Sequence, residues 1–293
     1  MKILIIDIDS KIPNYALKKI EKYHLDKGDE VVWNLPLYRQ LADKVYVSCV
    51  FEKNKYKCFD WQDDGKCLIG GSGYDLYTKL PDEIEQIKPR INLGFTTRGC
   101  IRNCQFCIVP KKEGRIKIVG DLLDLWDGKS KDVLLLDNNI LAVPNHFRVI
   151  CRQARENKIR LDFNQGLDHR LLNQGVVDEL KTISHQELHF AWDNMEDFDT
   201  VDNAITLLQD NNINRCTWFV LAGFNTTFQD DLFRVNYLKS RNQNAYLMRF
   251  NGKTTNQLTA LARWVNNRSW FQAISWGEFL ERNYSKDLTC AQK

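Results

Sequence analysis

The sequence lacks long apolar runs and has little excess charge of either sign. Its 293 residues include 41 Lys and Arg against 38 Asp and Glu, which gives a formal net charge of +3. This charge is too small to predict nucleic-acid binding by itself. No apolar stretch approaches the roughly 20 residues of a membrane-spanning helix. The first apolar run is broken by Asp7 and Asp9. A secretory signal is therefore not predicted, and we expect a cytoplasmic protein with no membrane partner.

Residues 1–90 alternate short apolar runs with one amphipathic helical pattern. The runs are KILIID, EVVWN, KVYVSCVF and KCLIGG, and the helical pattern is PNYALKKIEKYHLDKG. Short strands around a helix predict a small, Rossmann-like α/β domain, with a boundary near residue 90.

Residues 91–293 show a longer alternation of strands and helices. The candidate strands are INLGFTT, DVLLLDN, IRLDFNQG, ELHFAWD, RCTWFVLAG and NAYLMRF. The segments between them have the apolar spacing of helices, and WGEFLERNY predicts a terminal helix. Such alternation predicts βα units and a parallel sheet, and six units fit a partial (β/α)6 barrel better than a complete eightfold one.

Three of the nine cysteines form a tight cluster, C-x3-C-x2-C, at Cys100, Cys104 and Cys107. Chance would produce this spacing in roughly one such sequence in a hundred, and an odd number of cysteines in a cytosolic chain favours a metal over a disulfide framework. Zinc is the alternative, but a closed zinc site needs four ligands. The next Cys or His after this cluster is His146. Three thiolates fit a [4Fe–4S] cluster that leaves one iron open.

The stretch GFTTRGCIRNCQFCIVPKKEG resembles the radical S-adenosylmethionine (SAM) superfamily. The resemblance implies that the three cysteines hold a [4Fe–4S] cluster whose fourth iron is chelated by SAM. It also implies reductive cleavage of SAM to methionine and a 5′-deoxyadenosyl radical that takes hydrogen from a substrate. In this resemblance Phe106 lies beside the adenine. The stretch is especially similar to the branch with an N-terminal cobalamin-binding-like domain, and somewhat similar to methylthiotransferases.

The resemblance also suggests where SAM contacts lie, since members bind SAM across the ends of the following strands. The residues at these ends are Asp137, Asn138, Asn164, Arg170, Asp193 and Gly223. Asp168 and Asp193 could equally cap the segments that follow them. Glycine at position 223 suits a close approach of the backbone to a ligand. No catalytic residue is identified.

The resemblance of residues 1–90 to a cobalamin-binding domain is weaker. The D-x-H-x-x-G signature is missing: the nearest candidate, at residues 7–12, has no histidine. Roughly 90 residues also leave little room for a corrin. We therefore expect a degenerate domain that does not bind cobalamin tightly.

The substrate and the reaction remain open. Methyl or methylthio transfer to RNA or protein is one alternative, and modification of a small metabolite is another. A non-catalytic iron–sulfur electron carrier and a zinc-stabilised module are the non-enzymatic alternatives. A methylthiotransferase normally carries three further cysteines, for which Cys49, Cys58 and Cys67 are the candidates. The resemblance implies an electron donor such as flavodoxin or ferredoxin. A nucleic-acid substrate is possible but is not indicated by charge.

Anaerobic reconstitution tests the cluster. We expect about four iron and four sulfide per chain, and replacement of Cys100, Cys104 and Cys107 by Ala should abolish the brown colour and the bound iron. The controls Cys151→Ala and Cys216→Ala should retain both, because these cysteines fall within helix and strand patterns. Stoichiometric zinc without sulfide would contradict the prediction.

Overall fold

The computed structural model describes residues 1–62, 65–252 and 255–284. The chain forms two compact units, Met1–Leu136 and Asp137–Lys293, which we call unit 1 and unit 2. The domain boundary predicted near residue 90 stays a prediction, because compact units need not coincide with functional domains. Cys290 lies outside the described residues.

Unit 1 contains short strands and helices. The strands are β1 (Lys2–Asp7), β2 (Glu30–Trp33), β3 (Lys44–Ser48), β4 (Cys67–Gly70), β5 (Leu93–Gly94), β6 (Thr97–Arg98), β7 (Lys117–Ile118) and β8 (Asp132–Leu135). The α-helices are α1 (Tyr15–Asp26), α2 (Asp82–Glu85) and α3 (Val109–Lys112). Turns of 3-10 helix span Pro36–Gln40, Glu52–Trp61 and Leu122–Asp124.

The first four strands form a parallel sheet in the order β2-β1-β3-β4. Alternate residues of β1 enter different apolar clusters: Leu4 and Ile6 on one face of the sheet, Ile3 and Ile5 on the other. Because both faces are covered, the strand reads as a continuous apolar run and not as an alternating one. A separate parallel pair joins β5 to β8, and an antiparallel pair joins β6 to β7.

Unit 2 contains the remaining elements. The strands are β9 (Arg160–Phe163), β10 (Ser184–His185), β11 (His189–Ala191), β12 (Thr217–Ala222) and β13 (Asn244–Arg249). The α-helices are α4 (Pro144–Glu156), α5 (Gln174–Lys181), α6 (Phe198–Asp210), α7 (Phe228–Ser240), α8 (Asn256–Val265), α9 (Arg268–Ala273) and α10 (Trp276–Tyr284). Turns of 3-10 helix span Ile140–Ala142, His169–Leu171, Met195–Asp197 and Phe250–Gly252.

Parallel pairing organises the strands of unit 2. β9 pairs with β10, and β11, β12 and β13 form a parallel sheet in that order. One face of this sheet is fully buried, with Phe190, Trp218 and Leu247 each 2% exposed or less. The opposite face carries Tyr246 and Met248, which are 46% and 38% exposed. The chain is therefore an α/β protein with parallel sheets. No helix of the described ranges combines the length and apolar character needed to cross a membrane.

The predicted strand INLGFTT is much shorter in the structure. Only Leu93 and Gly94 pair with β8. A Cβ atom at Gly94 would lie 2.6 Å from Leu125 Cδ2 and 2.8 Å from Tyr15 Cε2, so this glycine permits close packing within unit 1. The chain then turns into the antiparallel β6–β7 pair, which the sequence pattern does not reveal.

The carboxyl ends of β1 and β3 are where an open sheet of this order would bind a ligand, because the strand order reverses between them. There the Asp9 carboxylate accepts hydrogen bonds from the backbone N–H groups of Val50 (2.7 Å) and Phe51 (3.0 Å) and from the Asn54 side chain (2.9 Å). The chain's own carboxylate thus engages donors that a ligand would otherwise use.

We therefore expect refolding with hydroxocobalamin, followed by desalting, to leave no corrin absorbance with the protein. The backbone donors at this strand edge are already bonded to Asp9, and a corrin needs a deep cleft there. Retention of one cobalamin per chain would contradict this expectation and would bring methyl transfer forward as the reaction.

Candidate functional site

The three clustered cysteines lie on one loop of unit 1, residues 99–116, which we call the cysteine loop. The antiparallel pairs Thr97↔Ile118 and Arg98↔Lys117 close its base. Gly99 opens the loop with φ +87°, and a Cβ atom there would lie 2.5 Å from the Arg115 carbonyl oxygen. Only glycine fits this conformation and this close backbone approach.

Arg98 ties the base of the cysteine loop to its surroundings. Its guanidinium lies 2.8 Å from a carboxylate oxygen of Glu85 and 2.8 Å from one of Glu113. Glu113 follows α3, which the chain enters directly after the third cysteine. The forked guanidinium geometry therefore joins the two ends of the loop to a neighbouring segment of unit 1.

Cys100, Cys104 and Cys107 are half-buried and are not in disulfides. Cys100 Sγ accepts the Arg102 N–H at 3.3 Å, and Cys107 Sγ accepts the Val109 N–H at 3.4 Å. Hydrogen bonds of this kind stabilise thiolates and tune the potential of iron–sulfur centres. The donor set thus fits a [4Fe–4S] cluster in ligand type and number.

Among residues 1–62, 65–252 and 255–284, no three His, Cys, Asp or Glu side chains are gathered in the arrangement that holds a metal ion. The assignment of the three cysteines as ligands stays a prediction. Phe106, predicted to lie beside adenine, is half-buried in the turn before Cys107.

Apart from Phe106, the predicted SAM-contacting residues belong to unit 2. Asp137 is buried and Asn138 is half-buried, just past the end of β8 in sequence. The next residue, Asn139, donates from Nδ2 to Asp168 Oδ2 at 3.0 Å. The structure thus brings together the polar segments that follow β8 and β9 in sequence.

The segment after β9 uses its polar groups for local structure. Asp168 is the N-cap of the 3-10 helix His169–Leu171, and its Oδ1 accepts from the Arg170 N–H at 3.2 Å and from Arg170 Nε at 2.8 Å. The capping alternative is therefore what the structure shows for Asp168, and Arg170 is already paired with a carboxylate. Asn164 is half-buried in the turn and accepts from Gln165 Nε2 at 3.3 Å.

Asp193 and Gly223 lie at the ends of neighbouring strands, β11 and β12. Burial raises the pKa of the Asp193 carboxyl to about 6, although the nearby Arg234 and Arg170 guanidinium groups act to lower it. Gly223 has φ +75°, and its N–H donates to Asp231 Oδ2 at 3.2 Å. A half-buried carboxyl with a raised pKa beside a glycine turn at a strand end is typical of a ligand site.

Sequence reasoning missed two residues of α7, Asp231 and Arg234. Both are completely buried, and Arg234 Nη2 lies 2.5 Å from Asp231 Oδ1. In the sequence the pair is visible only as an Asp and an Arg three residues apart within the helical pattern FQDDLFRVNYLKS. Such a pair usually lies on an exposed helix face, so its burial could not be inferred from spacing.

Comparison with known proteins gives distant, partial matches. No protein-family model matches the chain. It is 25% identical over 166 residues to the tRNA-2-methylthio-N(6)-dimethylallyladenosine synthase of Flavobacterium psychrophilum, covering 45% of this chain and 32% of the relative. It is 23% identical over 163 residues to the enzyme of the same name from Flavobacterium johnsoniae, with the same coverage. The match thus spans about a third of these curated relatives' length. The similarity supports a relationship to the radical SAM superfamily and does not distinguish between its branches.

The raised pKa of Asp193 predicts a pH effect on stability. Its carboxyl ionises near pH 6 when folded and near 3.8 when unfolded, so between these values the folded state holds a proton that the unfolded state has lost. The free energy of unfolding contributed by this group therefore falls as pH rises through that window. The free energy of unfolding of Asp193→Asn, measured by urea denaturation, should therefore rise by about 1 kcal/mol relative to that of wild type between pH 5 and pH 7.5.

A matched control for this effect is Asp210→Asn, which removes a carboxylate from an exposed position at the end of α6. Its free energy of unfolding should follow that of wild type across the same range. Parallel curves for Asp193→Asn and wild type would contradict the raised pKa assigned to the Asp193 carboxyl.

Proposed function

We propose that this chain is a radical SAM enzyme that reductively cleaves S-adenosylmethionine at a [4Fe–4S] cluster. The observation that carries the proposal is the closed cysteine loop. It presents three half-buried thiols with C-x3-C-x2-C spacing, two of which accept backbone N–H groups. The similarity to two tRNA-modifying synthases supports it independently of the loop's geometry.

Cys100, Cys104 and Cys107 would hold the cluster, which when bound supplies the electron that cleaves SAM to methionine and a 5′-deoxyadenosyl group. The chain's own contribution is to fix the thiols. The β6–β7 pair and the Arg98 contacts with Glu85 and Glu113 hold the loop closed. Phe106, within the same loop, would pack against the adenine.

The remaining SAM contacts are proposed at the ends of the strands that follow the cysteine loop in sequence. Asp193 offers a carboxylate to the cationic or hydroxyl groups of SAM, and Gly223 lets the backbone approach without a side chain in the way. Asp137, Asn138, Asn164 and Arg170 are proposed as further polar contacts. We propose that the strands following the cysteine loop form the partial (β/α)6 barrel of this superfamily, and that residues 1–90 form a degenerate Rossmann-like domain.

Methylthio transfer to tRNA is a second candidate, favoured by the names of the two relatives. An electron donor such as ferredoxin or flavodoxin in the cytoplasm would serve either reaction. Mass spectrometry of RNA, protein and metabolite fractions from cells with and without the gene would distinguish the substrates.

Turnover with dithionite tests the proposal directly. Reconstituted protein and SAM should yield 5′-deoxyadenosine even without substrate, though slowly. Phe106→Ala should raise the dissociation constant for SAM about 3- to 10-fold while keeping the iron, since an aromatic stacking contact contributes about 0.5–1.5 kcal/mol.

The control for this experiment is Phe59→Ala, which removes an aromatic ring that is 58% exposed in unit 1. It should bind SAM as the wild type does. Absence of deoxyadenosine from a protein with an intact, reducible cluster would overturn the proposed function.

A further inference from the structure

The ion pair inside α7 is unusual for its complete burial. Arg234 and Asp231 are each 0% exposed. They lie three residues apart and so face the same side of the helix. The distance between Arg234 Nη2 and Asp231 Oδ1 is 2.5 Å. Removing both charges from water is costly, and a buried pair is often no more stabilising than apolar side chains of similar volume.

Both members of this pair bind backbone groups at strand ends. Arg234 donates from Nη1 to the Trp192 carbonyl at 2.5 Å and from Nη2 to the Leu221 carbonyl at 2.8 Å. Asp231 accepts the Gly223 N–H at 3.2 Å and the Thr226 hydroxyl at 2.7 Å. The pair therefore connects the residue after β11 to the end of β12 and to the turn that follows it.

These contacts converge on the residues proposed to bind SAM. Asp193 follows Trp192 directly, so the bond from Arg234 to the Trp192 carbonyl fixes the backbone that carries the Asp193 carboxylate. The same guanidinium holds the Leu221 carbonyl, two residues before Gly223. Gly223, the other proposed contact in this region, is held by Asp231. Two side chains of α7 consequently fix the relative positions of the two strand ends.

Simple packing does not require a guanidinium at this position. The buried Arg234 Nε has no hydrogen-bond partner among the described residues, so the site carries an unsatisfied donor that an apolar side chain would avoid. A guanidinium does provide several donors in a fixed planar fork, which can set the direction of two carbonyls and one carboxylate together. Its specific contribution here is orientation.

We propose that Arg234, fixed by Asp231, is a positioning residue that holds the ends of β11 and β12 in the arrangement that binds SAM. The proposal rests on the proposed function, because Asp193 and Gly223 are taken as SAM contacts. Arg234 touches neither SAM nor the cluster in this role; it acts through the backbone at Trp192 and Leu221.

The test compares Arg234→Met, Arg234→Lys and Asp231→Asn in the reconstituted full chain. Radiolabelled SAM in equilibrium dialysis gives the dissociation constant, and iron content and thermal unfolding are measured on the same samples. We expect Arg234→Met to raise the dissociation constant at least about tenfold, since small displacements of binding groups have large effects. Arg234→Lys should rescue binding in part, because an ammonium keeps the charge but not the planar fork.

The matched control is Arg241→Met, just past the end of α7. Arg241 bonds the Tyr237 hydroxyl, Thr206 and Gln209 and pairs with Asp202. It is thus as well bonded as Arg234, but to side chains of α6 and α7 and not to strand ends. Arg241→Met should lower thermal stability yet leave the dissociation constant for SAM within about twofold of wild type.

The possible outcomes separate the positioning role of Arg234 from the proposed function. Iron-loaded Arg234→Met with unchanged SAM affinity would overturn this inference, as would an equal loss of affinity in Arg241→Met. If Arg234→Met does not fold, Arg234→Lys and Asp231→Asn decide the question by the same criterion. A wild type with an intact cluster that does not bind SAM would instead overturn the proposed function.

Discussion

The parallel pairing of β11, β12 and β13 is the constraint on which the candidate site in unit 2 depends. Because parallel strands end at one edge, Asp193 and Gly223 come from distant positions in the sequence to neighbouring strand ends. At that edge the backbone groups leave the hydrogen-bond ladder and still need partners. Asp231 and Arg234 of α7 supply several of them. The helix that covers the sheet thus also determines the shape of its end.

In unit 1 the cysteine loop must also be held in a fixed conformation, and local contacts do this. A loop that carries the three thiols proposed to hold a cluster cannot rely on regular pairing along its length. The structure instead closes its base with a two-residue antiparallel pair, opens it with Gly99 at positive φ and fastens it with Arg98. Backbone N–H groups of the same loop donate to the thiols of Cys100 and Cys107. Local closure and local donors are what make a compact cluster loop possible.

Periodicity predicted most elements of unit 2 closely, because long helices such as α7 and continuous apolar strands such as β12 dominate their windows. Periodicity did not predict the features that depend on tertiary contacts. β6 and β7 are two residues each and carry no period of their own. Asp231 and Arg234 have the spacing of an exposed pair, and only the packing of α7 on the sheet buries them. The sequence could not decide the role of Asp168, because a helix cap and a SAM contact both call for a short polar side chain at the end of a strand. The hydrogen bonds that Asp168 accepts from Arg170 show that it caps the helix that follows.

The environment of Cys49, Cys58 and Cys67 bears on the methylthiotransferase alternative, which would need a second cluster. A second cluster would need these thiols as thiolates. Burial raises the pKa of Cys49 to about 12, and burial raises that of Cys58 as well. The Cys49 thiol donates to the Phe51 carbonyl at 3.3 Å and to Asp9 at 3.6 Å, which requires its proton. Buried, protonated thiols behave as small apolar core residues. Cys49 and Cys58 are thus packed as core residues, and the half-buried Cys67 lies against the same apolar cluster. The radical SAM proposal stands on the cysteine loop and does not require methylthio transfer.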